Sequence, residues 1–222
     1  LSSKDLNKRL KRIPQQERSI VRFESVVAAT LKLLSERSYE AISMREIARE
    51  ADMPIASVYQ YFPTKLSIVH EIWSRYTNEV YEHLSAELIA IQSGDDTDIG
   101  VLIDGMVDLM VLAQREQQAF IEVWACVAAA PELRELNTQD TIRTAELIAD
   151  TMGKLGPRKP TAEEIDVFQS ISIIMCESAG ATTKLAMTLP EPLRGQTVRQ
   201  LKQSLQWIYE GAVRKLDEAV PG

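Results

Sequence analysis

The chain has 222 residues, 45% of them hydrophobic and 26% charged, with 9 Gly, 9 Pro, 2 Cys and a net charge of −7. That length buries a sizeable core, the shortage of Gly, Pro and aromatic residues favours helix, and no apolar run approaches the ~20 residues of a membrane span. An acidic total by itself argues against nucleic-acid binding, but the charge is polarised: 12 Lys and Arg face 8 Asp and Glu up to Lys65, whereas 13 face 24 beyond it. A basic head on an acidic body fits a protein that brings only one end to phosphates.

In chain order, residues 1–14 carry Lys4, Lys8, Arg9, Lys11 and Arg12 with little apolar periodicity and read as a basic arm, suited either to reaching phosphates or a minor groove or to serving as a solubilising tail. No signal peptide is expected from this charged stretch. After Pro14, the stripe Ile20, Phe23, Val27, Leu31 and Leu34 predicts a helix over 15–37. The segment Ser43 to Lys65, SMREIAREADMPIASVYQYFPTK, then shows two short apolar sets at helical spacing, Met44, Ile47, Ala48, Ala51 and Ile55, Val58, Tyr59, Phe62. Ser43 and Glu46 form a capping-box pattern that starts the first helix, and Pro54 marks the start of the second. Two short helices joined so tightly must cross steeply, the geometry of a helix-turn-helix, and the 15–37 helix supplies the wall they need.

The run IAREADMPIASVYQYFPTK resembles the amino-terminal signature of TetR-family transcriptional regulators, over about Phe23 to Ile72. It departs from the family pattern at Asp52, where Gly is common, at Pro54, where a capping Ser is common, and at Ala56, where Gly is frequent. The remainder is similar to the family only in helical character and length. The resemblance, with the helix-turn-helix geometry, places Pro54, Ile55, Ala56, Ser57 and Gln60 against the floor and walls of the major groove. Gln60 alone there combines a donor and an acceptor suited to an adenine edge, while Ile55 and Ala56 offer apolar contact. The resemblance also implies phosphate contacts from Tyr59 and Lys65, with Ser43 and Arg45 joining them at the amino end of the preceding helix. Val58 and Phe62 read as core, Tyr61 as packing more than binding, and Arg49 as a solvated or salt-bridged face.

The expected fold is all-α: a basic arm (1–14), a three-helix head (15–63) and a larger helical effector-binding and dimerisation domain (64–222). The body opens with a long helix over 64–92, striped by Leu66, Val69, Ile72, Trp73, Tyr76, Val80, Leu84 and Leu88, and continues with helices near 99–115, 118–130 and 131–153. A second capping box, Thr161 with Glu164, opens a helix to about Thr188, and a last helix covers 196–219 with Leu201, Leu205, Ile208, Ala212 and Leu216 inward. The stretch Ile171–Ala181 is apolar on nearly all sides and is expected to be buried by two neighbours. The family resemblance implies that the last two helices pair with their mates in a homodimer reading a palindromic operator, which isologous symmetry also favours.

Trp73, Met106, Met110, Phe120, Trp124, Phe168 and Met175 offer an adaptable apolar lining for an unknown small-molecule effector, with Glu177 as its polar contact; the bland alternative is that they fill the core. Cys126 and Cys176 read as buried free thiols in preference to a disulfide or redox pair, consistent with a reducing, cytoplasmic setting. No cofactor, metal or membrane partner is expected. His70-Glu71 begins an HExxH pattern, but Ser74 stands where the second His is needed, so no zinc enzyme follows. The competing reading is a helical adaptor whose head binds protein, and salt-sensitive duplex binding separates the two.

Overall fold

A computed structural model describes residues 17–92, 99–116, 119–155 and 158–218. The basic arm, the 93–98 loop and residues 156–157 lie outside the described residues. Among the described residues there are nine helices and no strand: α1 (Glu17–Glu36), α2 (Met44–Glu50), α3 (Ile55–Tyr61), α4 (Lys65–Gln92), α5 (Ile99–Glu116), α6 (Phe120–Ala129), α7 (Pro131–Leu155), α8 (Ala162–Thr188) and α9 (Leu193–Glu218). No helix among them is long and apolar enough to cross a membrane.

The chain packs as two units. One comprises residues up to Asn78 together with Glu116–Thr138, the other Glu79–Arg115 with Gln139–Gly222. The boundary expected after residue 63 therefore falls inside a packed unit. The reason is visible in its core: Phe23, Val26, Leu34, Ile47, Val58 and Phe62 of the three-helix head form one buried cluster with Ile68, Val69, Ile72 and Trp73 of α4 and Phe120, Val123 and Val127 of α6. With two of its three helices only 7 residues long, the head buries too little apolar surface by itself, and at about 1.5–3 kcal/mol per fully buried large side chain the added helices supply much of the stabilisation. The α1 wall is broader than its stripe, with Val26 and Leu33 buried beside Phe23 and Val27, and Thr30 satisfied inside by donating to the Val26 carbonyl at 2.8 Å. Arg75 of α4 ties down the outer side of α1 with a two-pronged grip on Glu24, at 2.7 and 2.8 Å.

In the second unit, Val107, Met152, Phe168, Met175, Leu201, Leu205 and Ala212 form one cluster, and Leu84, Leu88, Ile91 and Leu102 another. Polar ties fix its helices: Lys202 to Asp108 at 2.7 Å, Gln206 to Asp104 at 3.0 Å, and Gln92 to Thr151 at 2.7 Å. The second capping box forms as its spacing predicts. Thr161 accepts the Glu164 N–H, the Glu164 carboxylate accepts the Thr161 N–H at 2.7 Å, and Arg158 grips that carboxylate at 2.7 and 2.9 Å.

The stretch Ile171–Ala181 departs from expectation. Ile174 is 56% exposed and Glu177 is exposed, so part of this apolar stretch is left uncovered among the described residues. Both cysteines are free thiols, and burial pushes Cys126 up to about 11 and Cys176 up to about 12, so neither is a ready nucleophile.

Candidate nucleic-acid interface

Helix α2 begins where Ser43 takes up an extended conformation. Its hydroxyl accepts the Glu46 N–H and donates to the Glu46 carboxylate at 2.8 Å, while its own N–H donates to that carboxylate at 2.9 Å. Arg37, at the end of α1, braces the same carboxylate at 2.7 Å. These donors hold Glu46 near pKa 2, with the Arg37 hydrogen bond the largest cause and those from Ser43 next.

The α2–α3 turn closes by a Schellman motif. Asp52 lies at φ 51°, the Met53 N–H donates to the Ala48 carbonyl at 2.9 Å, and the Asp52 N–H donates to that of Arg49 at 3.2 Å. Asp thus occupies the left-handed position that the resembled family gives to Gly, at some steric cost. Pro54 caps α3 with φ −59° and needs no side-chain hydrogen bond.

One face of α3 is fixed and the other is open. Val58 and Phe62 are fully buried, with the Phe62 ring 4.6 Å from that of Phe23, and Tyr61 packs edge-on to Phe23 at 6.2 Å. Pro54, Ile55, Ala56, Tyr59 and Gln60 are exposed and Ser57 is half-buried, so the whole set expected to face bases lies on or beside the solvent side.

The expected phosphate set divides. Arg45 and Tyr59 are exposed, and among the described residues Arg45 makes no ion pair. The Ser43 hydroxyl proton and N–H are both committed to Glu46, so its role here is the cap. Lys65 is turned inward: its ammonium donates to the carbonyls of Tyr39 and Ile42, the latter at 2.6 Å, and lies 3.9 Å from the Tyr39 ring centroid. Desolvation lowers the Lys65 pKa. A lysine has three N–H donors, so a direct phosphate contact would fall to the one left over. Sequence reasoning missed Arg37 and Glu122, which hold this region without any local pattern to mark them.

The helical head itself carries no net charge. Within residues 17–65 there are 7 Lys and Arg and 7 Asp and Glu, so the positive excess of the amino-terminal region resides in residues 1–16. Lys32–Glu50 and Arg37–Glu46 are paired.

The residues expected to line one effector pocket do not gather in one core. Trp73 and Phe120 are buried, and Trp124 packs against them, in the first unit; the Trp73 and Trp124 rings lie 4.6 Å apart, and Tyr76 and Phe120 4.5 Å. Such spacing is that of packed aromatic core. Phe168 and Met175 belong to the second unit's larger cluster, Met106 packs against its smaller one, and Met110 is half-buried. Glu177 accepts a hydrogen bond from Thr141 at 3.0 Å at the surface. Among the described residues no group of His, Cys, Asp or Glu is placed to hold a metal ion.

What this geometry defines is a helix-turn-helix protein, in which a short helix anchored by Val58 and Phe62 leaves its outer face open to solvent. Residues 26–72 match the model of the family described as bacterial regulatory proteins, tetR family. Over 48 residues the chain is 40% identical to the HTH-type transcriptional repressor KstR of Rhodococcus jostii (strain RHA1) and 35% identical to that of Mycobacterium tuberculosis (strain ATCC 25618 / H37Rv). These matches take in 22% of this chain and 23% and 22% of the two repressors, so it spans under a quarter of their length. Solved structures share the fold across the chain. A putative TetR-family transcriptional regulator from Mesorhizobium loti aligns with TM-score 0.63 at 14% identity, covering 87% of this chain and 97% of its own. A TetR-family transcriptional regulator from Streptomyces coelicolor aligns with TM-score 0.58 at 22% identity, covering 86% and 99%. The amino-terminal segment is thus similar to the tetR family's model, and the fold is that of the TetR-family structures it aligns with.

Proposed function

We propose that the chain is a dimeric, sequence-specific repressor that leaves a palindromic operator when a small-molecule effector binds its body. The observation that carries the DNA reading is the division of α3 into a buried face, Val58 and Phe62, and an open face bearing Ile55, Ala56, Tyr59 and Gln60. Pro54, Ile55, Ala56, Ser57 and Gln60 then meet the major groove, with Gln60 reading a base edge. Arg45 and Tyr59 contact phosphates, while Ser43 and Lys65 hold the helices that present them. The basic residues of the arm add the long-range attraction that the charge-balanced 17–65 segment lacks. Repression, rather than activation, is supported by the local similarity to the KstR repressors. A cytoplasmic site of action follows from a DNA target.

Dimerisation is supported by the apolar face that α8 and α9 leave open. Val167, Ile174 and Leu185 are 46%, 56% and 56% exposed on α8, and Trp207 is 59% exposed on α9. Large exposed apolar side chains at this spacing on adjacent helices fit an isologous four-helix contact. The effector site we place in the second unit, around Phe168 and Met175. There the Ser172 hydroxyl is fully buried and has no hydrogen-bond partner among the described residues, which supports a ligand that is largely apolar with one hydrogen-bonding group.

Selection from a random duplex library tests the function directly. Recovery of a palindromic site whose affinity falls steeply with salt is the expected result, and no salt-sensitive duplex binding at all overturns the DNA reading.

A further inference from the structure

The connection between α1 and α2 has to satisfy its own backbone, since no helix covers it. Two of its bonds are local: the Ala41 N–H donates to the Ser38 carbonyl at 3.1 Å and the Ile42 N–H to that of Tyr39 at 3.3 Å. The rest come from side chains far along the chain. Lys65, the first residue of α4, holds the Tyr39 and Ile42 carbonyls. Glu122, in the first turn of α6, accepts the Tyr39 N–H at 3.0 Å. The main chain at Tyr39 is thus held between an ammonium on its carbonyl side and a carboxylate on its amide side.

This connection sets the angle at which α2, and through it α3, leaves α1. It is also tied to a helix with a particular position in the chain. The segment Glu116–Thr138 belongs to the first unit, but on both sides it continues into the second. Glu122 is where α6 makes a polar contact with the connection. We propose that Glu122 is a positioning residue for DNA binding: its bond to Tyr39 holds the α1–α2 connection in the DNA-competent arrangement, and loss of that bond lowers operator affinity. This rests on the DNA-binding reading above and adds to it a residue outside the helix-turn-helix.

The test uses the full chain with E122A, with E122M, which retains bulk and helix propensity but no acceptor, and with E122Q, which retains an acceptor oxygen. Two quantities are read: amide exchange at Tyr39, and affinity for the selected operator. A hydrogen bond to a charged group contributes about 1.5–3 kcal/mol, so E122A and E122M should speed Tyr39 exchange by about tenfold or more and weaken operator binding by up to about tenfold, with E122Q restoring most of both. Unchanged exchange and affinity in E122M overturns the proposal, as does faster exchange with unchanged operator affinity. Wild-type protein that binds no duplex removes the DNA reading itself, an outcome distinct from either, because the Tyr39 exchange measurement needs no DNA.

Discussion

The Met53 amide reaches back to the carbonyl of Ala48 at 2.9 Å, and Asp52 between them must hold φ at 51° for that bond to form. A β-carbon makes this conformation costly, by about 1 kcal/mol for an Asp, and glycine removes the cost. D52G should raise the stability of the full chain by about 0.5–1 kcal/mol, and D52I should lower it by more than that, since a β-branched side chain tolerates the left-handed region worst. Urea denaturation followed by circular dichroism reads both, and a loss of stability in D52G would show that the Asp carboxylate makes a compensating contact.

Glu46 and Glu164 are both held near pKa 2 against an ordinary value of 4.5, each by an arginine and by the groups of its own capping box. A carboxyl whose folded pKa is depressed favours the folded state fully above the ordinary value, and the benefit is lost as pH falls toward the folded one. Thermal stability should therefore decline as pH drops from about 4.5 to about 2. E46Q should be less stable than wild type at neutral pH, and the two should converge as pH approaches 2. Parallel declines would remove Glu46 from the acid response.

Gln60 and Arg45 separate reading from holding. Q60A should cost about 1–3 kcal/mol on the selected operator and little on random duplex. R45A should weaken both alike and reduce the slope of log affinity against log salt by about one. Fluorescence anisotropy over a salt series checks the pair, and the reverse pattern would exchange their assignments. Lys65 is unsuited to this experiment, because its removal also frees two carbonyls of the α1–α2 connection.

Ile174 and Trp207 test the open face of α8 and α9. Replacing both by Asp should leave helical content intact, since neither side chain is in the chain's own core, and should convert a dimer to a monomer in sedimentation equilibrium. Operator affinity should fall with it, because each head then binds its half-site alone. A wild-type protein that sediments as a monomer at micromolar concentration counts against the dimer.

What could be read in advance was local. Ser43 with Glu46, and Thr161 with Glu164, are patterns three residues apart, and both boxes form. The Val58 and Phe62 spacing placed the inner face of α3 because a helix of that length has one period to satisfy. Lys65 and Glu122 were not legible in the same way. Their partners are main-chain groups 23 to 83 residues away, and a carbonyl leaves no trace in residue type.

The effector set shows a different limit. Periodicity says that Trp73, Phe120 and Phe168 point inward, and all three are buried, but it does not say into which core, and they divide between two. The stretch Ile171–Ala181 is apolar on nearly all sides, yet apolar character does not by itself tell which faces are covered. Its outward residues, Ile174 among them, are apolar without being covered by this chain.

The backbone passes between the two units three times: within α4 after Asn78, at the end of α5 after Arg115, and within α7 after Thr138. A hybrid regulator made by one cut after the helix-turn-helix would therefore graft a foreign reading head onto α6 side chains, Phe120, Val123 and Val127, shaped for a different partner. Exchange of specificity between such proteins calls for transplanting residues 116–138 along with the amino-terminal 78, or for redesigning that shared seam.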